Sequence, residues 1–90
     1  MKRKDAGLKL TKLEIAAAFG DSNWAAAYPP VLSALQLSAM LQIPLSTIYA
    51  WSSRGLLRGC GRRIGKHLRF FRDRVLLRIF NEGLDDRDSA

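Results

Sequence analysis

Pro44 constrains this chain more than any other residue. It separates two helix-patterned stretches, "SALQLSAMLQ" and "LSTIYAWSSRG". A proline lacks an amide hydrogen and pushes the preceding residue out of helical geometry, but it is tolerated in a first helical turn. One helix must therefore stop just before it and a second start just after. Ser33, with Gln36 three residues on, has capping-box spacing and opens the first helix, about Ala34 to Leu41. The second spans about Leu45 to Arg54, and Gly55 caps its C-terminus.

Two short helices joined by a three- or four-residue turn make a helix-turn-helix. Ile48 and Trp51 lie one turn apart and face inward, toward Leu37, Leu41 and Ile43. Ser46, Ala50 and Ser53 face out, with Tyr49 and Arg54 at the margins. A helix fits the DNA major groove, and small side chains let its backbone sit deep. Ser46, Thr47 and Ser53 can donate to phosphates or base edges, and the Tyr49 hydroxyl can reach a phosphate. By itself the motif is equally a surface helix of a bundle.

The charge pattern adds weight. The 90 residues carry a net charge of +7. Residues 54–78 hold nine cations (Arg54, Arg58, Arg62, Arg63, Lys66, Arg69, Arg72, Arg74 and Arg78) against the single Asp73. The last twelve residues are net acidic. Such segregation points to a polyanionic partner, nucleic acid or an anionic membrane surface, because like charges held close repel.

"RRIGKHLRFF" alternates charged and apolar residues around Gly65, the pattern of a hairpin. A three-residue loop, Gly65-Lys66-His67, would pair Ile64 with Leu68. Ile64, Leu68 and Phe70 would then face inward, and Arg63 and Arg69 outward. A two-residue Gly-Lys turn would pair Leu68 with Arg63 instead, since a one-residue slip exchanges the faces. The three-residue loop is the expected one. In both, a tip carrying Lys66 and His67 projects from the domain.

A final helix is expected from about Arg72 to Glu82. Its buried stripe is Val75, Leu76, Ile79 and Phe80, Asp73 favours the helix dipole from the first turn, and Arg74 and Arg78 share an exposed face. Gly83 ends it, and residues 84–90 read as an acidic disordered tail. Residues 1–30 form a basic N-terminal extension. Within it, Thr11 and Glu14 cap a helix over residues 10–19 that Gly20 stops in a left-handed conformation. Leu10, Leu13 and Ala17 form one stripe, Ile15 and Phe19 another. Such a helix would dock on the domain or mediate dimerisation. Lys9, Lys12 and Glu14 break what would be the apolar core of a signal peptide. No apolar run nears the roughly 20 residues of a membrane span. The expected protein is soluble, cytoplasmic and nucleoid-associated.

"VLSALQLSAMLQIPLSTIYAWSSRGLL" followed by "RRIGKHLRFFRDRVL" resembles the excisionase-type, MerR-like winged helix-turn-helix DNA-binding family, over residues 31–83. The resemblance implies a mainly α fold with a small β-hairpin wing. It also implies sequence-specific binding of double-stranded DNA, with a recognition helix in the major groove and the wing on flanking backbone or minor groove. Carried over by position, the recognition residues are Leu45, Ser46, Thr47, Tyr49, Ala50, Ser53 and Arg54. The wing contacts are Arg62, Arg63, Lys66, His67 and Arg69. The roles implied are transcription regulation or excisionase-like recombination. Ser38 stands where the family has a small apolar residue, and Gln42 where it has a turn glycine.

The chain is not expected to be an enzyme or to use a cofactor. No carboxylate pair stands beside a base, and "RGCGRRIGK" lacks the spacing and the final Ser/Thr of a phosphate-binding loop. Cys60 is the only cysteine and His67 the only histidine, which excludes a disulfide within the chain and a Cys- or His-rich metal site. RNA ranks below DNA because Phe70 and Phe71 read as core and not as stacking platforms. The rival is a protein-interaction module that no longer reads DNA, with Ile15 and Phe19 as its contact. A module this small is compatible with a homodimer or cooperative assembly on DNA.

Overall fold

A computed structural model describes residues 9–84. Residues 1–8 of the expected basic extension and residues 85–90 of the expected acidic tail lie outside them. The elements run α1 (Lys12–Ala18), α2 (Ser22–Ala27), β1 (Val31–Ser33), α3 (Ala34–Leu41), α4 (Leu45–Ser53), β2 (Gly61–Ile64), β3 (His67–Phe71) and α5 (Arg72–Leu77). A π-helical stretch, Arg78–Glu82, continues α5. The described residues thus make five α-helices and one three-stranded antiparallel sheet, in the order β1-β3-β2.

The helix pair around Pro44 forms where its caps place it. Ser33 accepts from the Gln36 amide, and the Gln36 side chain accepts from the Ser33 amide. Gln42 ends α3 at φ 58°, ψ 45°, in the left-handed region. There Ile43 N donates to Ser38 O at 3.1 Å and Gln42 N to Ala39 O at 3.3 Å, the two bonds of a Schellman motif. The Ser38 hydroxyl adds a bond to Ile43 O, so the serine clips the turn from both its backbone and its side chain. The end of α4 repeats the pattern with glycine: Gly55 sits at φ 78°, Leu56 N donates to Trp51 O and Gly55 N to Ser52 O. A side chain in this conformation costs about 1 kcal/mol that glycine avoids. Gln42→Gly is therefore expected to raise Tm by roughly 4–8 °C in a thermal unfolding scan. An unchanged or lower Tm would mean that the glutamine side chain contributes more than its backbone costs.

The core gathers Leu32 from β1, Leu37 from α3, Ile48 from α4, Phe70 from β3 and Val75 from α5. Ala34 of α3 and Leu57 and Cys60, on the connection to the hairpin, complete it. Cys60 is thus a core residue; burial pushes its thiol pKa up, against the pull of the nearby Arg78 and Arg74 cations. Trp51 covers the core half-buried, not sealed within it. Leu84, expected in the tail, also packs against this core.

The hairpin takes the two-residue turn, which corrects the expected register. Ile64 pairs with His67, Arg63 with Leu68, Arg62 with Arg69 and Gly61 with Phe70. Gly65 opens the turn at φ 62°, the glycine-first arrangement of a II′ hairpin. Gly61 supplies the reason. A Cβ there would lie 2.3 Å from Arg69 O and 2.7 Å from the Phe70 ring. Only a glycine can stand opposite the buried Phe70, whereas the expected register would have put Arg62 there. Ile64 consequently points out, 58% exposed, and Arg63 shares the Leu68 and Phe70 face. Phe71 also leaves the core, half-exposed beside Val31 of β1.

Residues 10–30 are part of the same body. Thr11 and Glu14 cap α1 reciprocally, and Ile15 is buried on the side facing α5. Leu13, on the other stripe, is 81% exposed. The helix ends at Phe19 without a left-handed glycine, since Gly20 has no positive φ. Arg72 ties the extension down. Its guanidinium lies 3.8 Å from the Phe19 ring centroid, donates to Tyr28 O at 2.8 Å and pairs with Asp73 at 2.7 Å.

Arg74 and Arg78 do not share a free basic face. Arg78 donates to Leu56 O at 3.0 Å and Arg58 O at 2.7 Å and pairs with Glu82, while Arg74 donates to Gly59 O at 3.1 Å. The two arginines hold the connection between α4 and β2 against α5. Phe80, expected in the buried stripe, is half-exposed because the π-helical turn rotates it away from Val75 and Leu76.

Candidate nucleic-acid interface

Ser46, Tyr49, Ala50, Ser53 and Arg54 are all exposed along α4. Thr47 is half-buried, and Leu45 packs on the core, so Leu45 is more an anchor of the helix than a contact. Ile48, fully buried, fixes which face of α4 turns out. Ser53 spends its hydroxyl proton on Ala50 O at 3.1 Å, which leaves its oxygen as an acceptor.

The hairpin stands beside this helix, and two clefts lie between them. The larger, of about 400 Å³, is bounded by Ser52, Ser53, Arg54 and Gly55 of the α4 end, by Arg58, and by Gly61, Arg62, Arg63 and Leu68 of the hairpin. The second, of about 270 Å³, lies between Tyr49, the α3 start (Ser33, Ala34, Leu35) and the hairpin residues Arg63, Lys66, His67 and Arg69. Arg63 lines both, so its side chain marks the seam. The register explains this: pairing with Leu68 turns Arg63 toward α4.

Of the residues expected to act together, Tyr49, Ser53, Arg54, Arg62, Arg63, Lys66, His67 and Arg69 border the two clefts. Ser46, Thr47, Ala50 and Leu45 line neither; Ser46 and Ala50 lie farther along the open face of α4. Arg69 is half-buried and donates to Leu68 O at 2.8 Å. Sequence reasoning missed Ser52, Arg58 and Leu35. Arg58 was legible only as one more cation, since nothing in a linear pattern says that its turn folds back to the α4 end.

Neither cleft has an acidic side chain among its described lining residues. The described acids near the domain's cations are committed elsewhere, Asp73 to Arg72 and Glu82 to Arg78. The nine cations of residues 54–78 therefore divide. Arg72, Arg74 and Arg78 hold the fold, and the other six border the clefts. Among the described residues no group of His, Cys, Asp and Glu could hold a metal ion, and no helix is long and apolar enough to cross a membrane. No protein-family model, curated protein or solved structure matches the chain.

Proposed function

We propose that the chain is an excisionase-type, MerR-like winged helix-turn-helix that binds double-stranded DNA. In this reading α4 enters the major groove with Ser46, Thr47, Tyr49, Ala50 and Ser53 toward the bases. The hairpin acts as the wing and sets Arg62, Arg63, Lys66 and His67 on flanking backbone. One observation carries the reading: a small-residue, hydroxyl-bearing helix face and an arginine-rich hairpin lie side by side with no acidic group between them among the described residues. The biological role that follows is transcription regulation or recombination architecture. The protein-module alternative loses its main support, because Ile15 and Phe19 are used on α5 and Arg72 of the same chain.

A salt titration with duplex DNA tests the reading. Neutralising about four phosphates gives a slope of log K against log salt near −3.6, or a loss of roughly 150-fold between 50 and 200 mM. Binding that ignores salt, or none at low salt, would return the protein module to first place. Changes at Ser46 or Tyr49 are expected to alter the preferred sequence in a selection from random duplexes, because base-edge contacts specify while phosphate contacts position. A Ser46→Ala and Tyr49→Phe pair that selects the wild-type sequences would remove α4 from base reading.

A further inference from the structure

Arg58 belongs to neither α4 nor the hairpin, yet it lines the larger cleft together with Arg54, Arg62 and Arg63, its guanidinium beside Gly55. Its backbone is fixed. Arg78 binds the carbonyls of Leu56 and Arg58, and Arg74 binds that of Gly59, so the turn carrying Arg58 is pinned on three acceptors. The side chain itself is exposed. Four arginines, Arg54, Arg58, Arg62 and Arg63, thus line one cleft with Ser52 beside them and no described carboxylate among its lining. Gathering like charges on a pinned scaffold is unfavourable unless an anion enters. A guanidinium fork suits the paired oxygens of a phosphate, and a turn already held in place loses little freedom on binding.

We propose that this cleft is a phosphate-binding site closed by Arg58. The assignment rests on the DNA reading for one of its two sources, a backbone phosphodiester beside the major-groove contact. The same chemistry would accept a free polyphosphate anion, which would then compete with duplex. The cleft lies at the α4 C-terminus, so an occupied site would also fix how far α4 slides along the groove.

Two measurements on the full chain test it. The first is Tm with pyrophosphate, against sodium chloride at matched ionic strength. The wild type is expected to gain about 5 °C or more at saturating pyrophosphate, and Arg58→Ala and Arg58→Gln less than half of that. A gain that Arg58→Ala and Arg58→Gln share in full, or no gain in the wild type, overturns the site, whatever the duplex does. The second is a set of duplexes, each carrying one neutral methylphosphonate. One position is expected to weaken wild-type binding about tenfold and to leave Arg58→Ala binding unchanged. If pyrophosphate acts through Arg58 but no such position exists, the free anion is the ligand and the strand assignment falls. If the chain binds no duplex at all, the DNA reading fails, and the pyrophosphate result still decides the site.

Discussion

Gly61→Ala is expected to take the domain apart at the hairpin. The new methyl would stand 2.3 Å from Arg69 O and 2.9 Å from the Phe70 Cα, and both are backbone atoms of the paired strand. A side-chain clash can be relieved by a rotamer change, but this one requires the strands to separate. β2 would have to leave β3, or Phe70 would have to leave the core in which it is only 2% exposed. Losing a buried phenylalanine costs about 3–5 kcal/mol, against a total of roughly 5–15 for a small domain. A fall in Tm of some 15–30 °C, or a chain unfolded at 25 °C, is the expected scan. Gly65→Ala is the control. Gly65 has nothing within 4 Å of a would-be Cβ, so only its left-handed φ is at stake, about 1–2 kcal/mol. If Gly61→Ala melts no earlier than Gly65→Ala, the register of β2 against β3 is wrong, and with it the placement of Arg63.

The same residue shows where sequence reasoning reached its limit. Alternation in "RRIGKHLRFF" announces a hairpin but not its register, because either loop length leaves an apolar residue beside a charged one. What decides is a steric fact across the strands, that the partner of Phe70 must have no side chain. Local signals did better wherever the stabilising contact is local. Ser33 with Gln36, Thr11 with Glu14 and Gly55 each bond within a few residues, so their spacing was enough to place α3, α1 and the end of α4. β1 escaped notice for the opposite reason. Three residues carry no periodicity, and Val31–Ser33 is a strand only because β3 pairs with it. α2 has a cap, Asp21 accepting from the Asn23 and Trp24 amides, but its six residues are too few to show a helical period.

Charge was legible in amount and not in allocation. The composition of residues 54–78 gives the cations, and only the fold divides them into those that tie separate segments together and those that border the clefts. Arg74 and Arg78 matched the pattern of an exposed face, yet each caps backbone acceptors of the Leu56–Gly59 turn. That use gives them a second-hand part in any DNA contact, because the turn they pin carries Arg58 and follows directly on α4.

Arg63→Glu is expected to cost duplex affinity on the order of 100-fold while the domain stays folded. Arg63 borders both clefts, so its guanidinium is placed to act on the backbone that α4 and the hairpin would share. Removing a charge-assisted contact weakens binding by roughly tenfold or more, and a carboxylate in its place adds repulsion from the strand. Arg63→Ala should flatten the salt slope by about 0.9, the share of one phosphate. Both effects should be the same for preferred and random duplexes, because a backbone contact carries no base information. The side chain is exposed, so the unfolding transition should hardly move. Anisotropy titrations of the three proteins against two unrelated duplexes at several salt concentrations give all of these numbers together. Full affinity in Arg63→Glu, or a change confined to sequence preference, would show that the seam between α4 and the hairpin does not meet a phosphate. The two elements would then be neighbours in the fold without being partners on DNA.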